Sequence, residues 1–275
     1  MNIFNDKIYI FGDDDRQHAL FSLFLKKGFN TAISSNCFSD ETKKVRYSHY
    51  FNENKSFEGT DFLIFPIPIK KEMIDNIFPF AHKNNYIIGG LFDKELINFC
   101  KYYGINYYDL YKSGSFVANN AKITAEGAVF NAMQSSKITI SGSRCLVIGY
   151  GNCGKKICGL LKYMKAQISV VENNICSKCH NVSFYNDIND IKSVHNLDFI
   201  FNTAPSAVLT RNILERLNKN VTIIDIASAP GGTDFDYCMK HDITAKLCPG
   251  IPGIYAPVTA AHIIFNEIVN LKREG

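Results

Sequence analysis

The sequence predicts an α/β protein built from two doubly wound domains. Short runs rich in β-branched and aromatic residues alternate with amphipathic segments along the whole chain, which is typical of parallel sheets covered by helices on both faces. The length of 275 residues exceeds that of a usual single domain. A glycine-rich turn at residues 149–154 opens a second series of strands and helices. Together these observations indicate two domains of the same class.

The first half of the chain contains five predicted strands. They lie at residues 8–11, 31–34, 62–65, 86–91 and 105–108. Between the first two, residues 17–27 place Leu20, Leu23 and Phe24 three and four positions apart, which predicts a helix. We therefore expect residues 1–120 to form an N-terminal domain with a flavodoxin-like or Rossmann-like sheet.

Two helical segments join or flank the domains. Residues 124–136 predict a helix, and the following Ser141-Gly142-Ser143 marks a turn before a new strand. Residues 121–141 are therefore expected to form an interdomain helix and linker. Residues 259–272 carry apolar side chains at helical spacing. This C-terminal helix, within residues 257–275, is expected to return to the first domain.

The second half repeats the α/β pattern, and we expect one domain over residues 142–256. Its predicted strands lie at residues 144–148, 168–171, 199–202, 222–226 and 244–247. The first strand runs directly into a G-x-G-x-x-G sequence with a helix behind it, which is the dinucleotide-binding fingerprint. That sequence consists of Gly149, Tyr150, Gly151, Asn152, Cys153 and Gly154.

Each glycine of the fingerprint has a physical task. Gly149 permits the tight turn, Gly151 lets the backbone approach a pyrophosphate, and Gly154 allows close packing of helix on strand. The amide end of the following helix attracts the phosphates. The second half is therefore predicted to be an NAD(P)-binding Rossmann domain.

Further cofactor contacts follow from topology. Glu172 ends the second strand about 20 residues beyond the glycines, where a carboxylate can bind ribose hydroxyls and repel a 2′-phosphate. This favours NAD, but Asn173 suits either cofactor, and Glu172 can equally be a solvated strand end, so both NADP and NAD stay open. Residues at the carboxyl ends of later strands should border the nicotinamide: Thr203, Ala204, Pro205 and Asp225.

Composition narrows the function classes. The net charge of +4 is spread along the chain, which does not suggest a nucleic-acid or membrane partner. No apolar stretch of membrane-spanning length and no signal peptide is apparent, so we expect a cytoplasmic protein whose nine cysteines are reduced thiols. Cys176-Ser177-Lys178-Cys179-His180 has the spacing of haem attachment, but that chemistry requires export and zinc needs more ligands. We expect no functional metal.

Several motifs beyond the fingerprint resemble the A subunit of dipicolinate synthase from spore-forming bacteria. They extend from residue 12 to residue 260 in matching order: Gly12-Asp13-Asp14-Asp15-Arg16-Gln17, Asn119-Asn120-Ala121, Thr124-Ala125-Glu126-Gly127-Ala128, residues 225–235 around Pro230-Gly231-Gly232-Thr233, residues 247–253 and Ala256-Pro257-Val258-Thr259-Ala260. One departure concerns the cofactor. The family usually has a small residue and then arginine after the second Rossmann strand, as suits NADP, whereas this chain has Glu172 and Asn173.

The resemblance implies an enzyme that oxidises dihydrodipicolinate to pyridine-2,6-dicarboxylate during sporulation. It also implies a partner, the flavoprotein-like B subunit of dipicolinate synthase, and a location in the cytoplasm of the mother cell, and it leaves a homo-oligomer open. The substrate is then a small dicarboxylate, expected in the cleft between the domains, with residues 1–120 on the substrate side.

Arg16 and Glu126 are the candidate catalytic residues. Arg16 follows the first strand and can form a bidentate pair with a carboxylate, although it can also be a surface arginine at a helix start. Glu126 is a candidate proton acceptor, or a plain solvated helix residue. His262 in the last helix has no carboxylate partner apparent in the sequence, so a structural role is favoured. The expected substrate-binding residues are Asp14, Arg16, Gln17, Asn119, Thr124, Glu126, Ser228, Gly232 and Thr233.

Two of these substrate-side positions have alternative explanations. Asp14 can cap the helix that carries Arg16. Residues 230–233 can present backbone N–H groups to a carboxylate, with Thr233 capping the next helix, or can form a mere turn. Two other functions also stay open: a D-2-hydroxyacid or alanine dehydrogenase-like oxidoreductase, and a non-catalytic module that senses NAD(H).

Overall fold

The computed structural model describes residues 7–34, 62–69, 83–173 and 180–274. The chain divides into two compact units, residues 1–120 with 256–275 and residues 121–255. The described strands and α-helices follow one another in this order: β1 (Lys7–Phe11), α1 (Asp15–Lys26), β2 (Asn30–Ser34), β3 (Phe62–Ile64), β4 (Tyr86–Gly89), α2 (Lys94–Tyr103), β5 (Asn106–Asp109), α3 (Gly114–Ser135), β6 (Arg144–Ile148), α4 (Asn152–Tyr163), β7 (Gln167–Val171), β8 (Val182–Tyr185), β9 (Phe199–Asn202), α5 (Arg211–Leu214), β10 (Thr222–Asp225), α6 (Phe235–Lys240), β11 (Thr244–Leu247), α7 (Ile251–Tyr255) and α8 (Pro257–Glu274).

The first unit contains a parallel sheet with the strand order β2-β1-β3-β4-β5. This is the flavodoxin-like order, in which the direction of winding reverses between the first and third strands. The predicted flavodoxin-like or Rossmann-like domain is therefore confirmed. Apolar side chains cover both faces of the sheet, as expected for buried parallel strands.

Helix α1 shows why these residues form this element. The side chain of Asp14 accepts a hydrogen bond from the backbone N–H of Gln17, which caps the helix start. Leu20 and Phe24 are fully buried and pack in one cluster with Ile264 of α8. Helix α8 belongs to the first unit, which confirms that the C-terminal helix returns there.

The second unit contains a parallel sheet with the order β11-β10-β9-β6-β7-β8. Counted from β6, this is the Rossmann order, with the winding reversed between β6 and β9. The Rossmann prediction is confirmed, but β8 was missed. That strand has only four residues, Val-Ser-Phe-Tyr, at the sheet edge, and none of them is fully buried, so its hydrophobic signal is weak.

Helix α3 begins at Gly114, ten residues before the predicted start at residue 124. The hydroxyl of Ser113 accepts a hydrogen bond from the backbone N–H of Phe116 and donates to the buried carboxylate of Glu267. These bonds stabilise the first turn, although Asn119 and Asn120 are weak helix formers. The division between the two units falls within this helix. Within the described ranges, no helix is long and apolar enough to cross a bilayer.

Candidate nucleotide and substrate sites

The glycine turn follows β6, where the second sheet reverses its winding. Gly149 has φ +87°, a backbone conformation that favours glycine, and its N–H donates to the carbonyl of Val171 at 2.9 Å. A Cβ at Gly149 would overlap the hydroxyl of Thr203, and a Cβ at Gly154 would overlap the carbonyl of Gly149. The glycine turn, helix α4 and the loop after β9 therefore approach one another most closely at these two glycines.

Gly151 differs from the other two glycines because a Cβ there would meet no described atom within 4 Å. It is the N-cap residue of α4, and no side chain of the described residues accepts a hydrogen bond from the helix start. The first N–H groups of a helix need acceptors and carry its positive dipole end. Open space beside uncapped amides fits a diphosphate, so the residues present can hold a dinucleotide. Asn152 and Cys153 form the first turn of that helix.

The turn borders a groove of about 480 Å³ at the carboxyl ends of four strands. Glu172 lies half-buried in its wall and accepts a hydrogen bond from the N–H of Tyr150 at 2.7 Å. The lining residues are Ile148, Gly149, Val171, Glu172, Asn173, Asn186, Asp187, Ile188, Asn189, Ala204, Ser206, Ala207, Val208, Thr210, Asn212 and Ile213. The structure thus brings Gly149, Glu172, Asn173 and Ala204 together, and it adds residues after β8 that were missed together with that strand.

The loop after β9 is held by hydrogen bonds. The hydroxyl and the N–H of Thr203 both donate to the carbonyl of Ile148 at 2.9 Å. The buried Asn202, the last residue of β9, bonds both the N–H and the carbonyl of Ala204. Pro205 is exposed beside them. Thr203 and Asn202 therefore fix the loop next to the glycine turn.

Asp225 occupies a different position from the one expected of a cofactor ligand. Its carboxylate is fully buried and accepts four hydrogen bonds within the protein. The donors are the Asn202 amide, the N–H groups of Ala227 and Gly232, and the Thr233 hydroxyl. With these donors in place, Asp225 organises two loops at the carboxyl edge of the second sheet, called the nucleotide edge below, and has no surface for a ligand.

The same bonds correct the expectation for residues 230–233. The N–H of Gly231 donates to the carbonyl of Ser228 and that of Gly232 to the carboxylate of Asp225, so neither amide is left to bind a carboxylate of the substrate. Thr233 does not cap the next helix, since its hydroxyl binds Asp225 and the side chain of Asp234 caps α6. Ser228 is exposed on this loop.

Thr124 and Glu126 lie on α3 in the second unit. Thr124 is buried and its hydroxyl bonds the thiol of Cys153. Burial raises the pKa of Cys153, and the bond to Thr124 offsets part of that rise. This thiol therefore stays protonated near neutral pH. Glu126 is exposed two residues further along the same turn.

The second candidate site lies at the carboxyl edge of the first sheet and is built from side chains. Arg16 is only 6 % exposed, and its Nη2 donates to the carboxylate of Asp14 at 3.3 Å and to the carbonyl of Ile67 at 3.2 Å. Gln17 is 1 % exposed, and its Nε2 donates to the carbonyl of Phe11 at 2.8 Å. The Arg16 bond to Ile67 joins the first turn of α1, which follows β1, to the loop after β3, where this sheet reverses its winding.

Two atoms of this edge lack partners among the described residues. They are Nε of Arg16 and Oε1 of Gln17, both buried. A buried polar group without a hydrogen bond costs about 1–3 kcal/mol and needs an explanation. The amide of Gln17 cannot simply rotate, because its Nε2 serves the Phe11 carbonyl. The structure thus places Asp14, Arg16 and Gln17 together at a position where ligands of doubly wound sheets bind.

Two histidines and Asn119 are the remaining polar candidates. His18 lies next to Gln17, and its Nε2 is 2.9 Å from the carboxylate of Asp13. This pair was not predicted, because two residues five positions apart at a helix start are not expected to be in contact from the sequence alone. Asn119 is half-buried on α3, and His262 is exposed on α8.

The predicted absence of a metal site concerns the C-x-x-C-H segment. Cys176 and Cys179 lie outside the described residues. Within the residues that are described, no group of His, Cys, Asp or Glu could hold a metal ion. The absence of a functional metal therefore stays a prediction.

The chain is similar in sequence to one component of a bacterial enzyme. It is 34 % identical to the A subunit of dipicolinate synthase from Bacillus subtilis (strain 168) over 171 residues, 60 % of this chain and 57 % of that protein. The sequence match therefore spans little more than half of that relative. No protein-family model matches this chain.

Solved structures match this chain over nearly its full length, among them the following two. The A subunit of dipicolinate synthase from Bacillus halodurans has a TM-score of 0.80 at 23 % identity, with 98 % of each chain covered. D-Lactate dehydrogenase from Escherichia coli has a TM-score of 0.67 at 12 % identity, with 98 % of this chain and 97 % of that chain covered. These matches show that the chain has the two-domain fold of both proteins.

Proposed function

We propose that this chain, a relative of the dipicolinate synthase A subunit, oxidises a dihydrodipicolinate to pyridine-2,6-dicarboxylate. The substrate loses a hydride and a proton as its ring becomes a pyridine, and NAD or NADP accepts the hydride. Aromatisation supplies the driving force, so the protein has chiefly to bind, orient and deprotonate the substrate. The oxidoreductase class is common to the relative and to the dehydrogenase whose fold this chain shares.

The observation that carries the proposal is the construction of the glycine turn. Gly149 and Gly154 are required by packing, whereas Gly151 faces open space beside the uncapped start of α4. Packing alone would not explain why residue 151 is a glycine. A diphosphate explains it, since only glycine lets a ligand approach the backbone there.

The carboxyl edge of the first sheet around Asp14, Arg16 and Gln17, called the Arg16 edge below, suits a substrate that is anionic and carries a hydrogen-bond donor. Arg16 supplies a permanent positive charge, and its Nε, which has no described partner, needs an acceptor such as a carboxylate. The Oε1 of Gln17, equally without a described partner, needs a donor such as a ring N–H. An N–H tautomer of a dihydropyridine dicarboxylate carries both groups, since its carboxylate is bonded to the carbon next to the ring nitrogen. Asp14, which holds Arg16 through a hydrogen bond, completes this substrate-binding set.

Two residues are candidates for the proton acceptor. Glu126 is exposed on α3, and His18 is held by Asp13 at 2.9 Å beside the Arg16 edge. Glu126→Gln and His18→Gln each remove one candidate base. The acceptor is the residue whose replacement lowers kcat and removes the rise of activity with pH that titration of a base produces, with nucleotide binding retained. Thr124 and Asn119 remain proposed substrate contacts.

The partner is proposed by analogy with the relative. An enzyme component described as the A subunit works with at least one other subunit, and we assign to this chain a flavoprotein-like B subunit. A cytoplasmic location in the mother cell of a sporulating bacterium belongs to the same proposal.

A D-2-hydroxyacid dehydrogenase-like activity is the second candidate, favoured by the full-length fold match to D-lactate dehydrogenase. The two differ in substrate, since a hydroxyacid loses its hydride from an alcohol carbon and yields a ketone. The His18–Asp13 pair would serve either reaction as a base.

One experiment separates the candidates. The full chain, with and without the B subunit, is mixed with freshly generated dihydrodipicolinate or with D-lactate, each with NAD and with NADP. Growth of pyridine-dicarboxylate absorbance together with nucleotide reduction supports the proposal. Reduction only with the hydroxyacid supports the second candidate. Nucleotide binding without turnover of either substrate, with or without the partner, contradicts both and indicates a sensor of NAD(H).

A further inference from the structure

We infer that the groove beside the glycine turn selects NAD against NADP, and that Asp187 shares this selection with Glu172. The inference rests on the proposed binding of a pyridine nucleotide and assigns a residue that follows the edge strand β8. Glu172 has the position expected of a ribose-binding carboxylate. Asp187 adds a second carboxylate to the same groove.

The charges of the groove carry the argument. Its lining contains two carboxylates, Glu172 and Asp187, and four asparagines, and no lysine or arginine occurs among the described lining residues. A 2′-phosphate carries up to two negative charges, and binding sites for it use arginine or lysine. Here that phosphate would face two like charges with no cation in the described part of the wall. The ribose hydroxyls of NAD would instead find acceptors.

Local hydrogen bonds fix both carboxylates. Glu172 accepts from the N–H of Tyr150 at 2.7 Å, so the glycine turn itself holds one carboxylate oxygen. Asp187 begins a short 3₁₀ turn, where its Oδ1 accepts from the N–H of Asn189 at 2.7 Å and its own N–H donates to Asp190. Neither side chain can swing away from an incoming phosphate without loss of these bonds.

The same groove offers apolar contacts for an adenine ring. Ile188, Val208 and Ile213 line it together with the polar residues. Ile188 and Ile213 belong to the buried core of the unit, so their positions are fixed by packing. A site with an apolar seat and hydrogen-bond acceptors suits the adenosine half of a dinucleotide.

Arg216 is a basic residue close to the described wall of the groove. Its Nη1 donates to the side chain of Asn189 at 2.6 Å, just outside the lining. An arginine this close could support a phosphate if it left that bond. It therefore provides a direct way to refute the inference.

The test measures binding of NADH and NADPH to the full chain by nucleotide fluorescence and by titration calorimetry. NADH should bind at least about 30-fold more tightly than NADPH, because repulsion between like charges at contact distance costs more than the roughly 1.4 kcal/mol that corresponds to a factor of ten. Asp187→Asn keeps the helix-start bond, since asparagine caps equally well. It should raise NADPH affinity about tenfold and change NADH affinity by about threefold at most.

Two control variants complete the design. Asp190→Asn removes a charge from the same 3₁₀ turn but outside the lining, and Arg216→Ala removes the nearby cation; both should leave the NADH to NADPH ratio unchanged. Thermal unfolding confirms that each variant is folded. Equal binding of both nucleotides, an unchanged ratio in Asp187→Asn, or selective loss of NADPH in Arg216→Ala overturns the inference while nucleotide binding stands. Failure of either nucleotide to bind overturns the proposed function itself.

Discussion

The two units carry candidate sites at equivalent places but build them from different materials. Each site lies at the carboxyl edge of a parallel sheet where the winding reverses. In the second unit the site consists of backbone: a glycine turn, an uncapped helix start and loops whose polar groups are satisfied. In the first unit it consists of the buried side chains of Arg16 and Gln17, each with a polar atom that has no partner among the described residues.

This contrast shows two ways in which binding energy is prepared. A backbone site holds a ligand group that many proteins share, because amides and a helix dipole recognise any diphosphate. A side-chain site recognises one particular substrate and stores unsatisfied hydrogen bonds until that substrate arrives. Such groups lower stability in the free protein. We therefore expect the nucleotide edge to be rigid and stabilising. At the Arg16 edge, the cost of the unsatisfied atoms should offset the hydrogen bonds that Arg16 and Gln17 make, so this edge should be functionally required but contribute little net stability.

Replacement of two glycines in the same turn should have the strongest consequences. Gly154→Ala puts a methyl group into the carbonyl of Gly149, so it should destabilise the second unit by about 2–4 kcal/mol and abolish NADH binding. Gly151→Ala meets open space at φ −75°, so the melting temperature should stay nearly unchanged while NADH affinity falls at least about tenfold. Thermal unfolding and fluorescence titration measure the two quantities.

The half-buried Gly159 of α4, where a Cβ also meets open space among the described atoms, provides the matched control for this pair. Gly159→Ala should keep NADH binding and should not lower the melting temperature, because alanine is the better helix former and its methyl group meets open space. A Gly151→Ala variant that binds NADH as well as the unmodified chain would show that the open space is not a ligand site.

The second prediction concerns the satisfied carboxylate that organises the nucleotide edge. Asp225→Asn replaces an acceptor of four hydrogen bonds by an amide, so one N–H₂ group faces protein donors. The free energy of unfolding should fall by about 2–4 kcal/mol, measured by urea denaturation. Asp234→Asn is the control, because asparagine also caps the start of α6 and should cost less than about 0.5 kcal/mol. A loss below about 1 kcal/mol for Asp225→Asn would mean that the network is not a source of rigidity.

The sequence could predict the backbone of the nucleotide edge better than the hydrogen bonds of its side chains. The glycine turn was predictable residue by residue, because only glycine tolerates φ +87° at Gly149 and the close approach at Gly154. The role of Asp225 was not, because a strand-end aspartate has the same sequence signature whether it binds a ligand or its own loop. Its partners Gly232 and Thr233 come from the following loop, and only the fold shows that they use their hydrogen bonds internally.

The burial of individual side chains and the presence of short edge strands were also hard to predict from the sequence. Arg16 was predictable as a cation at the edge of the first sheet, but its 6 % exposure and the lack of a described partner for its Nε depend on the neighbouring loop that supplies Ile67. The four residues of β8 have too little apolar periodicity to predict a strand. Without β8 the sequence could not bring Asp187 to the groove.

The third prediction tests the neutral energetics of the Arg16 edge. Arg16→Met removes a buried Nε without a described partner but also the bonds of Nη2 to Asp14 and Ile67, so the free energy of unfolding should change by less than about 1 kcal/mol. Binding of pyridine-2,6-dicarboxylate should weaken at least about tenfold, measured by calorimetry with NADH present. Arg211→Met, at an exposed helix start with Glu215 as partner, should change neither quantity. A loss of stability like that of Asp225→Asn would contradict the contrast between the two edges.

The last prediction concerns the buried thiols, which should make the stability of the two units depend on pH to different extents. This is the smallest of the expected effects. Burial raises the pKa of Cys145 to about 12 and of Cys238 to about 11 in the second unit, and of Cys100 to about 11 in the first. A thiol whose pKa is higher in the folded state than its ordinary 9.0 stabilises the fold fully below pH 9 and loses that contribution as the pH rises towards the folded value. Hydrogen exchange at pH 7.5 and pH 10, corrected for intrinsic rates, should therefore show a larger loss of protection in β6 than in α2. Cys145→Ala should reduce that pH dependence in β6 and leave α2 unchanged, whereas equal losses in both units would show that the depth of the thiols does not distinguish them.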